Sequence, residues 1–293
     1  MLFGTALLWA LNVTVTRYVV THGFHPLAYA SMRYLAATSL FWGFTWQREH
    51  SFRIGLSDGK LVGLAALLIF LNQVCFVTAV HLTSASTVGL MLGTTPIFVG
   101  LIALLVGLER PALAFWLATA VSFLGVGLIA TGGSGGLSGH LLGDLIAVAT
   151  PATWAAYSVA IAPLMRRYSP FRISAIVLAI GWVPLALTGI PALTSQSFAG
   201  FGSLMWIAFT YAVIGPLFLT NILWFTAIDR VGPSRAALFG NLQPFFAVLF
   251  AVLLLSESLN GWEIAGGVAI AVGIALERIW RKPVPATPGT IRA

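Results

Sequence analysis

Ten apolar stretches, joined by nine short polar connections and followed by a polar tail, occupy this 293-residue chain. They lie near 2–20, 27–46, 61–80, 85–106, 112–130, 144–163, 173–191, 204–228, 234–255 and 262–280. Each is close to the ~20 residues that an α-helix needs to cross a ~30 Å hydrocarbon layer. Backbone groups in lipid must find partners within their own segment, so each stretch is expected to be a helix. The pattern predicts an all-α, polytopic membrane protein with ten transmembrane helices. The first stretch, Leu2–Val20, has no basic flank and is interrupted by Asn12, Thr14 and Thr16, so it reads as a retained helix and not a cleaved leader.

Charge adds orientation. Taken alternately, one set of connections with the tail holds 13 of the 15 Lys and Arg residues, and the other set holds none. The basic set is Arg48/Arg53/Lys60, Arg110, Arg166/Arg167/Arg172, Arg230/Arg235 and Arg278/Arg281/Lys282/Arg292. The empty set is Thr21–Pro26, His81–Ala85, Thr131–Gly143, Ala192–Ser203 and Leu255–Trp262. Positively charged loops stay in the cytoplasm, which predicts cytoplasmic N- and C-termini in a bacterial inner membrane. The net charge of +7 is spread over all these loops, so it marks orientation and contact with anionic lipid, not a nucleic-acid surface. Only 8% of residues are charged, against about 25% in soluble domains. One cysteine, Cys75, excludes an internal disulfide and a metal site of paired thiolates, and no metal or other cofactor is expected.

The two halves match at an offset of 148: Thr95-Pro96-Ile97-Phe98 falls on Gln243-Pro244-Phe245-Phe246, Glu109 on Glu257, Gly125 on Gly273, Ser86 on Ser234 and Ala79 on Ala227. With a small shift, Trp9-Ala10 falls on Trp154-Ala155 and Pro26 on Pro170. The division is residues 1–130 and 144–280 for the repeats, 131–143 for a Gly-rich periplasmic linker and 281–293 for a cytoplasmic tail. Five spans per half is an odd number, so the second half starts from the opposite side. That predicts inverted repeats around a central cavity with its site near the midplane.

Both halves carry Trp-Ala in the first span, Pro midway along the fourth and Glu before the fifth (Gly107-Leu108-Glu109-Arg110 and Leu255-Ser256-Glu257-Ser258). On these residues the chain resembles the drug/metabolite transporter superfamily, in its EamA-type ten-helix branch, over nearly its whole length. The resemblance implies export of amino acids and other small metabolites. The aromatic-rich spans are most similar to YddG-type aromatic amino acid exporters.

Polar side chains within the spans should face partners or a water-filled cavity. Thr5, Trp9, Asn12 and Thr16 follow i, i+4, i+7, i+11, one face of a helix, and Thr150, Trp154, Tyr157 and Ser158 repeat the spacing in the sixth span. Asn72, Gln73, Cys75 and Phe76 cluster in the third span, and Thr220, Asn221 and Trp224 in the eighth. Thr95 in the fourth span and Asn241, Gln243 and Phe245 in the ninth complete the set. Interhelical hydrogen bonding is the structural reading for each residue alone. As a set, Trp9, Asn12, Thr16, Asn72, Gln73, Phe76, Thr95, Trp154, Tyr157, Asn221, Trp224, Asn241 and Gln243 predict one substrate-binding lumen. Its indoles would stack on an aromatic or apolar side chain or on a flat cation.

Pro96 and Pro244 sit midway along their spans and should free the carbonyls of Leu92 and Gly240, as packing kinks or as hinges for alternating access. Glu109 and Glu257 are expected to cap the helices that follow them. No Asp, Glu or Lys lies mid-span, which argues against a carboxylate proton relay and for transport down the substrate gradient. Arg17 and Arg33, near the outer ends of their spans, either snorkel to headgroups or line an outer vestibule that meets a substrate carboxylate. No GxSxG, HExxH or mid-span His points to an enzyme. Efflux of organic cations or drugs is the alternative function, and a channel or scramblase stands behind it.

Overall fold

The computed structural model describes residues 2–107, 113–132, 141–231 and 242–280. Among them every regular element is a helix: α1 (Leu2–Thr21), α2 (Pro26–Glu49), α3 (Gly59–Leu82), α4 (Ala85–Leu92), α5 (Thr95–Leu105), α6 (Leu113–Gly132), α7 (Leu141–Met165), α8 (Pro170–Ser195), α9 (Ser203–Val213), α10 (Thr220–Val231), α11 (Leu242–Leu255) and α12 (Gly261–Trp280). A short 3₁₀ turn precedes α3, and a π-helical turn, Ile214–Leu219, joins α9 to α10. Six of these segments are long and apolar enough to cross a membrane, and α11 and the start of α12 are shorter apolar helices. The protein is a polytopic membrane bundle.

Two predicted spans are broken where their prolines fall. The fourth span is α4 and α5. The Pro96 ring cannot donate to Leu92, and the chain tightens there: Gly93 and Thr94 bond back to the Leu90 and Met91 carbonyls. The freed Leu92 carbonyl does not stand open, as expected from sequence. Thr95 Oγ1 donates to it at 2.6 Å. In the eighth span, Pro216 lies inside the π turn. In the ninth, Pro244 lies within the described helix Leu242–Leu255, and the Gly240 carbonyl lies outside the described residues.

Helices pack where small residues let backbones approach. A Cβ on Gly125 of α6 would meet the Gly266 carbonyl oxygen of α12 at 2.5 Å, and one on Gly89 of α4 would meet Ala247 Cβ of α11 at 2.6 Å. The small residues of the tenth span therefore serve packing within the chain: Gly266 faces α6 and Gly267 faces Leu90. The other principal pairings are α3 with α7, α2 with α8 and α1 with α11. Trp42, Trp46, Trp116, Trp206 and Trp262 stay exposed near span ends, as membrane-interface anchors do.

The loops close the bundle differently at its two ends. At the basic end, Arg167 pairs with Asp58 at 2.6 Å and Arg172 with Glu49 at 2.7 Å, and Tyr168 donates to Asp58 at 2.8 Å. At the other end the contacts are uncharged or single carboxylates. Gln196 Oε1 accepts from the His25 N–H at 2.7 Å, and Thr83 donates to Asp144 at 2.9 Å. Glu257 departs from expectation: it does not cap α12. Asn260 and Glu263 cap α12 reciprocally, while Glu257 accepts from the Ala85 and Ser86 N–H groups at 3.0 Å and from Ser86 Oγ at 2.7 Å. It therefore caps α4, in the other half of the chain. Glu109 lies outside the described residues.

Candidate functional site: a central cavity

A cavity opens where α1, α2, α3, α4, α7, α10 and α11 meet, bounding roughly 840 Å³ of empty space with its mouth included. Its lining comes from near the middle of several helices, which places it deep in the bundle.

One wall is indole. Trp9 meets Trp154 at 5.2 Å and 81° and Trp224 at 5.0 Å and 62°, and Trp154 lies 6.4 Å from Trp224. Each edge-to-face contact adds about 0.5–1.5 kcal/mol beyond burial. Trp9 and Trp154 are counterparts in the two halves, so their contact puts the meeting line of the halves at this wall. The Trp9 Nε1–H donates to the Pro216 carbonyl at 3.2 Å, and Tyr211 donates to the Leu8 carbonyl at 2.8 Å, which fixes α1 against the π turn.

The rest of the lining carries a polar network. Gln73 Nε2 donates to Asn72 Oδ1 at 3.0 Å, and Asn72 Nδ2 donates to the Thr150 carbonyl at 2.9 Å and to Thr153 Oγ1 at 3.2 Å. This chain links α3 to α7. It ends on Arg33, whose guanidinium donates to Gln73 Oε1 at 2.6 Å and to Asn12 Oδ1 at 3.2 Å. Arg33 is 1% exposed, 4.8 Å from the Tyr29 ring centroid and 6.0 Å from that of Phe76. It forms no ion pair among the described residues. An Arg at membrane depth costs about 2.5–3.5 kcal/mol. Two hydrogen bonds from a charged donor return about 1.5–3 kcal/mol each. The amides thus suffice to hold Arg33 inward without neutralising it.

The structure brings Trp9, Asn12, Asn72, Gln73, Phe76, Thr95, Trp154, Asn221, Trp224 and Gln243 to the cavity. It does not bring Thr16 or Tyr157. Thr16 is fully buried with its hydroxyl 3.5 Å from that of Tyr29, because one turn beyond Asn12 α2 packs over this face. Tyr157 stands behind Trp154, ring centroids 5.4 Å apart, with its hydroxyl buried and unpaired. Asn241 lies outside the described residues. Phe245 is 66% exposed and faces away.

Of the two placements expected for Arg33, a headgroup or an outer vestibule, neither is seen as such: it lines the central cavity. Tyr29, Arg33, Ala37 and Phe41 form one buried i, i+4 row of α2. Arg17 does not snorkel either; it donates to the Val80 and His81 carbonyls at 2.7 and 2.9 Å, satisfying the C-terminal end of α3. Val13, Tyr34, Ile69, Leu92, Thr150, Pro216 and Leu217 complete the lining.

The EamA-like transporter family matches residues 1–131 and again 141–277, one match per half of the chain. The chain belongs to the EamA-like transporter family. It is 25% identical over 279 residues to an uncharacterized transporter of Archaeoglobus fulgidus, covering 93% of this chain and 94% of that one. It is 26% identical over 205 residues to the uncharacterized transporter YdeK of Bacillus subtilis, 69% of each, and 22% identical over 287 residues to YyaM of the same organism, 94% and 91%. A solved crystal structure superposes with a TM-score of 0.66 at 19% identity over 95% of each chain, which shows a shared fold. A membrane transporter of this family moves small solutes, and the cavity is where this chain could hold one.

Proposed function

We propose that this protein exports amino acids with aromatic or other apolar side chains, and related small metabolites, across a bacterial inner membrane by alternating access. The observation that carries the reading is that a three-indole cluster and a hydrogen-bonding network line one deep cavity. An amino acid has an apolar half and a polar half in the same size range. Residues 1–130 and 144–280 act as inverted five-helix repeats, 131–143 as their periplasmic linker and 281–293 as a cytoplasmic tail. Trp9, Asn12, Asn72, Gln73, Phe76, Thr95, Trp154, Asn221, Trp224, Asn241 and Gln243 form the binding set, and Pro96 and Pro244 are hinge positions. No enzymatic step is proposed.

Among the alternatives, efflux of flat organic cations is opposed by the fixed positive charge of Arg33 in the lining, since like charges disfavour binding. The test is uptake of a labelled amino acid panel into proteoliposomes. Saturable, stereoselective flux of phenylalanine, tryptophan or leucine supports the proposal. Flux that rises linearly with concentration for every solute indicates a channel or scramblase.

A further inference from the structure

We infer that Arg33 reads the carboxylate of the transported solute, and that the cavity selects a solute bearing a carboxylate over the matching amide or amine. This rests on the central cavity being the substrate site.

Two hydrogen-bond donors on the cavity are buried without partners. Arg33 uses two of its five N–H groups, on Asn12 and Gln73, and its Nε is buried with no partner. Trp224, another lining residue, is 3% exposed, and its indole N–H is likewise buried and unpaired. Buried polar groups are ordinarily satisfied, so two orphaned donors on one cavity point to a ligand that accepts. Several of the acceptors, by contrast, are already engaged. The side-chain oxygens of Asn12, Asn72 and Gln73 each already accept a bond, the first and last from Arg33 itself. The Leu92 carbonyl accepts from Thr95, the Thr150 carbonyl from Asn72, and the Pro216 carbonyl from Trp9 and Thr220.

Charge repeats the argument. No Asp or Glu lines the cavity among the described residues, so the guanidinium is its single formal charge. A carboxylate placed there would complete a charge-assisted pair of planar groups. An ammonium on the same solute would find no carboxylate among those residues to meet. Phosphate, with more charge, would face only one cation. A carboxylate on an apolar body fits this lining.

The experiment is a ligand-charge scan on the detergent-purified full chain, read by quenching of intrinsic indole fluorescence and confirmed by calorimetry. The ligands are phenylalanine, N-acetylphenylalanine, 3-phenylpropionate, phenylalaninamide and phenethylamine, with hexanoate as the non-aromatic carboxylate and phenylphosphonate as the other anion. The inference expects phenylalanine, N-acetylphenylalanine and 3-phenylpropionate to bind about tenfold or more tighter than the amide and the amine. In Arg33→Gln the carboxylate-to-amide ratio should collapse toward one, and in Arg33→Lys it should be partly retained. Tighter binding of the amide or amine, an unchanged ratio in Arg33→Gln, or failure of every carboxylate to bind overturns the inference. Preference for the phosphonate replaces carboxylate by phosphoryl recognition and overturns the stated class. If Arg33→Gln does not fold, the scan on the unmodified protein still decides. Binding of hexanoate without any aromatic compound would sink the aromatic-substrate proposal while sustaining the role of Arg33. Stereoselective phenylalanine transport with no dependence on Arg33 would do the reverse.

Discussion

At the scale of single residues, Trp9 holds the most connected position in the cavity. It touches two other indoles and donates to Pro216. Trp9→Ala should lower transport by roughly tenfold or more, since two ring contacts of about 0.5–1.5 kcal/mol each are lost from the binding wall. Trp116→Ala, at an exposed ring, should change transport by less than about twofold, the spread expected of surface sites. Initial rates normalised to folded protein in the membrane check both; equal losses would mean general destabilisation. Much of this wall was legible in sequence, because tryptophan and amides inside apolar spans have few uses besides a shared lumen. Arg33 was visible as a charge with two placements open, a headgroup or a substrate vestibule, and only the folded bundle, which buries it with Tyr29, Ala37 and Phe41, decides between them. Thr16 and Tyr157 miss the cavity: correct spacing brings a residue to a face, but the neighbouring helix decides whether that face is open or packed.

At the scale of elements, the repeated proline of the fourth span marks a real break, and its consequence differs from the sequence reading. Thr95 takes up the carbonyl that Pro96 frees, so the break is finished locally and offers no open acceptor. Pro96 lies in the first turn of α5, where proline is tolerated. Pro96→Ala should therefore leave thermal stability in detergent unchanged or lowered by no more than about 1 kcal/mol, while transport falls and substrate binding is retained. Wild-type transport in a Pro96→Ala/Pro244→Ala double variant would leave both prolines as packing features. Close helix crossings behave differently. Gly125→Ala puts a methyl against the Gly266 carbonyl and should lower stability by about 1–3 kcal/mol, seen as a lower melting temperature. The cross-repeat cap could not be read from sequence, because the sequence relates Glu257 to its own helix and only the folded bundle brings α4 beside it. Glu257→Gln weakens a cap made by three donors. Amide exchange over Ala85–Val88 should then rise by roughly tenfold, corresponding to ~1.4 kcal/mol of local stability. Unchanged exchange would show that Ser84, which bonds the Thr87 N–H, caps α4 adequately by itself.

At the scale of the whole molecule, loop charge is the informative quantity. The interlocked loops bearing Arg167 and Arg172 gather at one end of the bundle, as the alternation of basic connections requires. A thiol introduced at Ser195 should react with an impermeant reagent added outside, and one at Ser57 only after the membrane is opened; the reverse would invert the orientation. The central claim is that the cavity carries apolar amino acids by exchange between two states. Counterflow tests it most directly. Proteoliposomes loaded with unlabelled L-phenylalanine should transiently accumulate external labelled L-phenylalanine above its equilibrium level. The overshoot should persist when the proton gradient is collapsed, and it should be lost in Trp9→Ala. Passive equilibration without overshoot, or an overshoot that requires an imposed proton gradient and is indifferent to Trp9, would contradict the account.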